Sequence, residues 1–474
     1  MHRRVAVIGG GLAGLEAAVR MASHPGIEVE VVETGPSTRR RHANWDTSTH
    51  PGDEKVRWWS SDGWGFGGGL SERLGGRSLC YHGVLLGLTP EELGDWHPRW
   101  QERLAGPRGL YAQVCDELGP GFPELRGSSL SAAATRIGIR HAPQAARYDD
   151  RTGQFEAYSP LPEALRLAAV SDRFRIVRGR ALSLRRTRRG WDVDVETPTG
   201  TPSTRRGFDA CVLASSAIGN IQILARTTGE SITTTITDHL CVGALARIEA
   251  GESLGAFRHP MLWMGYRPVP ALSTNVFVLE RPALPNGDRL ISLMAVIEQG
   301  SGPADFSTLM VQPSSTGGMA TTHITTTVSP ADLDRVERVR HELLRQANEI
   351  CQGSLLDITA SYSTGNAMVG ACNGEGDDED VQRFGDGNAF RALLAQPLAG
   401  RAAQFELPYG SYEHEACSHP VGGDSALPVT EDLEVEGLPG VYLAGPGNFV
   451  RLGAANPALT IIAMSRWLGD SLAA

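Results

Sequence analysis

Two residues near the C-terminus are of the types that proton-transfer chemistry uses. His419 opens the run His-Pro-Val-Gly-Gly, and Asn456 stands in Gly453-Ala-Ala-Asn-Pro. A neutral imidazole titrates near physiological pH and can accept a proton from a bound hydroxyl, while an amide beside it can hold the same oxygen. Each also has a plainer use. Asn456 precedes Pro457, the expected first residue of an apolar helix, where it can serve as the cap, and a buried histidine can be purely structural. A third reactive type, Cys80, ends Gly75-Gly76-Arg77-Ser78-Leu79, downstream of a stretch rich in Trp and Gly. Backbone amides and rings gathered in this way suit a flat polar ligand, although glycine clusters also form ordinary loops.

The other chain end supplies a nucleotide cradle. An apolar strand from Val5 to Ile8 leads into Gly9-x-Gly11-x-x-Gly14, a helical stretch follows, and a second apolar strand ends at Glu33. Gly9 permits the tight turn, Gly11 lets the backbone approach a pyrophosphate, and Gly14 lets helix and strand pack closely. The pyrophosphate then meets the free amides at the positive end of the helix. Glu33 is placed to accept hydrogen bonds from the adenosine ribose, and its charge would repel a 2′-phosphate, which disfavours NADP. The run Arg39-Arg40-Arg41 reads either as a phosphate contact or as a solvated loop.

Bulk properties narrow the class. A chain of 474 residues exceeds one core, so two large domains are expected. With 44 basic against 54 acidic residues the net charge is −10, a poor basis for nucleic-acid binding. Seven cysteines show neither paired spacing nor a zinc pattern, so reduced thiols and no metal are expected. The N-terminal apolar stretch is broken by the glycine turn and lacks a cleavage site, and no long apolar run occurs. These features predict a cytoplasmic protein without a membrane partner.

The elements between the two ends follow from periodicity. Alternation over 174–214, broken at Arg188-Arg189-Gly190 and Pro198-Thr199-Gly200, predicts a meander returning to a buried strand at Cys211-Val212-Leu213. Region 241–413 mixes β-rich stretches such as Leu290–Ile297 with a helix over Ala331–Cys351, punctuated by Ser329-Pro330 and Gly353. The resulting division is 1–240 and 414–474 for the nucleotide domain and 241–413 for an inserted substrate domain. Within 372–388, Glu375, Asp377, Asp378, Glu379, Asp380 and Asp386 face only Arg383. Such a cluster either focuses negative potential on a polycation or is a solvated loop.

On the N-terminal glycine motif, the Gly-Gly-x-Ser segment and the C-terminal run from Gly440 to Thr460, the chain resembles the glucose-methanol-choline (GMC) oxidoreductases. The ending is similar to the pyranose-oxidase branch, and His419-Pro-Val-Gly-Gly is similar to the cholesterol-oxidase branch. Tyr158-Ser159-Pro160-Leu161 and Asp238-His239 also stand where family members carry similar pieces. The resemblance covers both ends well and 241–413 poorly. It implies an α/β fold in which a Rossmann-type FAD-binding domain is built from both chain ends, with an inserted α+β substrate domain containing an antiparallel sheet.

The resemblance further implies FAD held by Gly9, Gly11, Gly14, Glu33, Gly75, Gly76, Ser78, Cys80, Gly445, Asn456 and Pro457. His419 would take the substrate hydroxyl proton, Asn456 would hold the oxygen, and hydride would pass to flavin N5. Cys80 occupies the position where several members carry a flavin-linking histidine, so non-covalent FAD is expected, with a cysteinyl bond as the alternative. The implied substrate is a small-molecule alcohol. The acidic run, and a composition suggestive of a GC-rich bacterial genome, point toward a cationic amino sugar of antibiotic assembly, with oxygen or another electron acceptor as oxidant. An amine oxidase, or a lyase or isomerase with non-redox FAD, stays open.

Overall fold

A computed structural model describes residues 2–37, 42, 55–56, 59–67, 69–126, 135, 138–149, 151–152, 154–248, 265–280, 289–300, 302–314, 319–350, 362–364, 402–407, 409–410, 412–423 and 426–474. The run Arg39–Arg41, the acidic residues 372–388 and Trp58 lie outside them.

The N-terminal strand Arg3–Ile8 is central to a five-stranded parallel sheet. Val5, Ala6, Val7 and Ile8 are all buried, the continuous apolar run of a strand covered on both faces. One flank holds Ile27–Glu33 and then Phe174–Arg178; the other holds Ala210–Leu213 and then Val441–Leu443. The last of these comes from the C-terminal region, so both chain ends build one sheet, as expected. The alternating stretch after 174 divides at Gly179. Phe174–Arg178 joins the parallel sheet, and Arg180–Thr187, Gly190–Glu196 and Pro202–Phe208 form the three-stranded antiparallel meander.

The region after 240 is dominated by a seven-stranded sheet. Its antiparallel centre pairs Ala402–Glu406, Leu240–Ile248, Arg289–Ile297, Thr274–Glu280 and Gly265–Val269, and Arg140–His141 adds an edge. A four-stranded sheet combines Ile232–Ile236, Ser307–Gln312, Thr321–Thr326 and Ser60–Gly63. Segments 60–63 and 140–141 therefore leave the N-terminal part to complete sheets made mainly of later residues. Strands this short carry too little pattern for sequence to assign their sheet. Helix Pro330–Ile350 packs on the seven-stranded sheet. It starts on a reciprocal cap: Ser329 Oγ accepts the Asp332 amide at 3.1 Å and Ser329 N–H donates to Asp332 Oδ2 at 3.3 Å.

The first helix, Leu12–Ala22, packs against the last, Ala458–Ala473. Close approach depends on Gly469, where a Cβ would lie 2.7 Å from Arg20 Cβ and 2.8 Å from the Ala17 carbonyl oxygen. A buried network adds to this contact. Glu16 accepts hydrogen bonds from Tyr158 Oη (2.5 Å) and Arg466 Nε (2.9 Å). Substituting Gly469→Val should push these helices apart and cost about 1–3 kcal/mol, read as a lowered thermal midpoint. An unchanged midpoint would refute this close-packing account.

Candidate active site

A cavity of about 590 Å³ runs along the C-terminal edge of the parallel sheet, lined by residues from both chain ends and from the antiparallel sheet. Ligands of open α/β sheets bind at this edge. Among the residues expected to hold a dinucleotide, Gly9, Gly11, Glu33, Gly76, Ser78, Cys80, Gly445, Asn456 and Pro457 line it. Gly14 and Gly75 support it from behind. Gly14 is so close to the turn that a Cβ would be 1.9 Å from the Gly9 carbonyl oxygen. Gly75, at φ +96°, donates its N–H to the Gly10 carbonyl at 2.7 Å and so ties the two glycine turns together.

Gly11 differs from both, since a Cβ there would meet nothing within 4 Å. It stands at the N-terminus of helix Leu12–Ala22, whose amides face the cavity edge. Glu33 Oε2 accepts the Gly10 amide and Oε1 the Gly35 amide, both at 2.7 Å. Burial pushes its carboxyl up to about 7, against the lowering effect of those two amides. The site thus combines an open backbone cradle, a helix N-terminus and a carboxyl end group, which fits a dinucleotide.

Asn456 also lines the cavity, and its side chain does not cap the following helix. Its Oδ1 is buried without a hydrogen-bond partner among the described residues. A buried amide oxygen left unpaired costs about 1–3 kcal/mol, so this one is set up to meet a donor inside the cavity.

His419 does not line the cavity. It is fully buried, its amide donates to the Gly447 carbonyl at 2.9 Å, and its ring lies where any Gly447 side chain would stand. The Ser418 hydroxyl donates to the Ala217 carbonyl at 2.8 Å and therefore accepts from His419 Nδ1 at 2.9 Å. Asn220 Nδ2 approaches Nε2 at 3.5 Å. Burial lowers this imidazole to about 3. Both ring nitrogens are turned into the protein.

Two histidines line the cavity with Asn456: His82, beside the second glycine turn, and His414, on the segment before His419. Sequence reasoning passed over His414; its signal is the bracket Glu413-His414-Glu415, an ionisable ring between two acids. Its backbone is held from both sides. Arg77 donates to the Glu413 carbonyl (2.6 Å) and through two nitrogens to the Glu415 carboxylate (2.5 and 2.8 Å). The buried Asp238 carboxylate accepts the His414 amide with both oxygens at 3.2 Å and the His239 amide at 2.6 Å. Glu413 adopts φ +65°, a strained conformation for a residue with a side chain, which these anchors stabilise. Tyr412 stands edge-on to the His414 ring at 4.5 Å between centroids. Burial, then His239, then Arg77 hold the His414 imidazole well below its ordinary value, so it is neutral near pH 7.

The remaining sequence markers also have partners within the fold. Ser78 Oγ bonds the Gly75 carbonyl and Ser159 Oγ, both at 2.6 Å, and Tyr158 joins the Glu16–Arg466 network. Cys80 Sγ lies 3.5 Å from the Arg77 carbonyl. No cluster of metal-ligating side chains occurs among the described residues, and none of their helices is long and apolar enough to cross a membrane.

The two glycine roles separate experimentally. Gly14→Ala forces a Cβ into the Gly9 backbone and should lower both the thermal midpoint and FAD retention. Gly11→Ala should leave the fold intact and weaken FAD binding at least tenfold by titration. Equal effects of the two on folding would contradict the cradle geometry.

Residues 4–48 match the model of an FAD-binding domain family. No curated protein matches the chain by sequence. Among solved structures, pyridoxine 4-oxidase from Mesorbium loti is similar over 99% of each chain, at 15% identity and a TM-score of 0.61. An FAD-dependent oxidoreductase from Chaetomium thermophilum is similar over 99% of this chain and 98% of its own, at 12% identity and a TM-score of 0.63. The chain carries an FAD-binding domain, within a fold that it shares along its whole length with FAD-dependent oxidoreductases.

Proposed function

We propose that the protein is an FAD-dependent alcohol oxidase or dehydrogenase that converts a CH–OH group to a carbonyl. The observation that carries this reading is the placement of a neutral histidine, His414, and an unpaired amide, Asn456, on the cavity that the dinucleotide cradle also lines. Bound FAD supplies the hydride acceptor, which no side chain can. The chain's own residues bind, orient and move the proton. Glu33 receives the adenosine ribose, the Gly9–Gly11 turn receives the pyrophosphate, and residues 1–240 with 414–474 form the FAD-binding part. Residues 241–413 contribute Phe277, Met294 and Leu407 to the substrate side. Asn456 holds the substrate oxygen while His414 takes its proton.

His414 thereby assumes the role that the GMC resemblance suggested for His419, whose ring nitrogens are engaged away from the cavity. FAD is held without a covalent bond. The substrate is a sugar, amino sugar or other natural-product alcohol, and oxygen or another acceptor regenerates the flavin. The similarity of the C-terminal run to the pyranose-oxidase and cholesterol-oxidase branches supports this substrate range. The acidic stretch 375–380 supports a cationic member.

The purified protein should be yellow, release FAD on acid precipitation, and bleach anaerobically with one class among amino sugars, neutral sugars and sterols. Bleaching by amines but by none of these alcohols would replace the reading with amine oxidation. His414→Ala should keep FAD and slow bleaching by roughly 10²–10⁴-fold, the usual worth of a general base. His419→Gln should lower the thermal midpoint while leaving the rate per bound flavin within about threefold; the reverse pattern would restore His419 as base.

The pH dependence follows from the lowered His414 value. Among the described residues, Asp238, Arg77, His239, Tyr412, Glu413 and Glu415 are ionisable groups around it. A depressed imidazole pKa keeps the base deprotonated as pH falls through about 6.5, where an ordinary histidine would be half lost. Flavin reduction by a non-ionising alcohol should therefore hold its rate as pH falls through about 6.5. A decline with its midpoint near 6.5 would contradict this assignment.

A further inference from the structure

We propose that His239 is a positioning residue that fixes which nitrogen of His414 carries the proton, leaving Nε2 as the lone-pair nitrogen. This rests on the reading of His414 as the base. A backbone carbonyl can only accept a hydrogen bond. His239 Nε2 lies 2.8 Å from the Gly453 carbonyl oxygen, so Nε2 is the protonated nitrogen of that ring. His239 is buried and burial lowers its pKa to about 4, so the ring is neutral and its Nδ1 holds a lone pair. His239 Nδ1 lies 2.9 Å from His414 Nδ1. Two lone pairs cannot form that contact, so His414 Nδ1 is protonated and donates. His414 is also neutral, so its second nitrogen, Nε2, must be the proton acceptor.

The arrangement does more than choose a tautomer. Gly453 precedes Asn456 in a loop held by carboxylates: Glu298 Oε1 accepts the Gly453 amide at 2.9 Å and Glu92 Oε1 accepts the Ala454 amide at 2.6 Å. His239 therefore spans from the loop that carries Asn456 to the ring of His414. Its own backbone is fixed by Asp238, which also holds the His414 amide. When Nε2 accepts a proton, the Nδ1–H bond to His239 remains and becomes a charge-assisted one, which stabilises the imidazolium. A ring that orients and polarises the active ring in this way has the place that a carboxylate takes beside other catalytic histidines.

The test uses the FAD-loaded protein labelled with 15N-histidine, with His414 signals assigned by their loss in His414→Gln. The expected spectrum has a protonated Nδ1 and a lone-pair Nε2 for His414, unchanged between about pH 8 and 5.5. His239→Phe keeps a ring against Tyr412 but removes the acceptor. It should shift both His414 signals toward the averaged values of a tautomer mixture, while FAD stays bound. His239→Gln, which restores an acceptor oxygen, should return them toward the wild-type pattern. A His414 ring protonated on Nε2 in the wild type, or one unchanged in folded, FAD-bound His239→Phe, would overturn the proposal. Failure of His414 as base shows up separately, as undiminished bleaching in His414→Ala, so the two readings cannot be confused.

Discussion

The site depends on one ion pair between a half-buried guanidinium and a buried carboxylate. Arg77 reaches from the second glycine turn, in the N-terminal half, to Glu415, which is almost fully buried, and to the Glu413 carbonyl. Burial opposes the Arg77 charge, and Glu415 followed by Glu413 more than offsets that cost, holding the guanidinium firmly protonated. Removing one member of such a pair leaves an uncompensated charge in the interior, at about 3–5 kcal/mol. A surface pair would contribute far less. This contact joins the turn beside the cofactor cradle to the segment that carries His414, and it lies where Glu413 holds its unusual backbone angle. Without it the two chain ends would still form one sheet, but the His414 side chain would have no fixed address.

Polar groups elsewhere in the interior follow the same logic. Three histidines, the buried His239 and His419 and the half-buried His414, are pushed below their ordinary values, so each is neutral and each needs a donor and an acceptor in fixed places. His419 finds both within the protein, in Ser418 and Asn220. His239 finds them in Gly453 and His414. His414 has one nitrogen satisfied by His239 and belongs to the cavity wall. The difference in role among three chemically identical rings is therefore a difference in hydrogen-bond bookkeeping. Loop 451–456 is treated similarly, with Arg451 paired to Glu298 (2.6 and 2.7 Å) while Glu298 and Glu92 hold successive amides.

Much of the fold was legible before any coordinates. Strand, glycine turn, helix and acid at the N-terminus are local features, and each glycine has the role its spacing predicted: Gly9 at φ +108° in the turn, Gly11 beside open space, Gly14 against the Gly9 carbonyl. The meander was readable because alternation and turn residues are local too, apart from the break at Gly179. The helix over 330–350 announced itself through Ser329, Pro330 and Asp332. The shares of the seven- and four-stranded sheets taken by 140–141 and 60–63 were not readable, because two to four residues hold no periodicity.

Sequence by itself determined a dinucleotide cradle at one end and an apolar strand and helix to complete it at the other. It did not decide which histidine would meet the cavity. His419 sits in the more conspicuous motif, yet Gly447 makes room for its ring inside the core, and Asn456 proved not to be spent on capping a helix. The placement of His414 depends on Arg77, Asp238 and His239 meeting residues 412–415 across large separations in the chain. Side-chain direction, burial and tautomer are properties of contacts between distant segments, and only the tertiary structure brings those segments together.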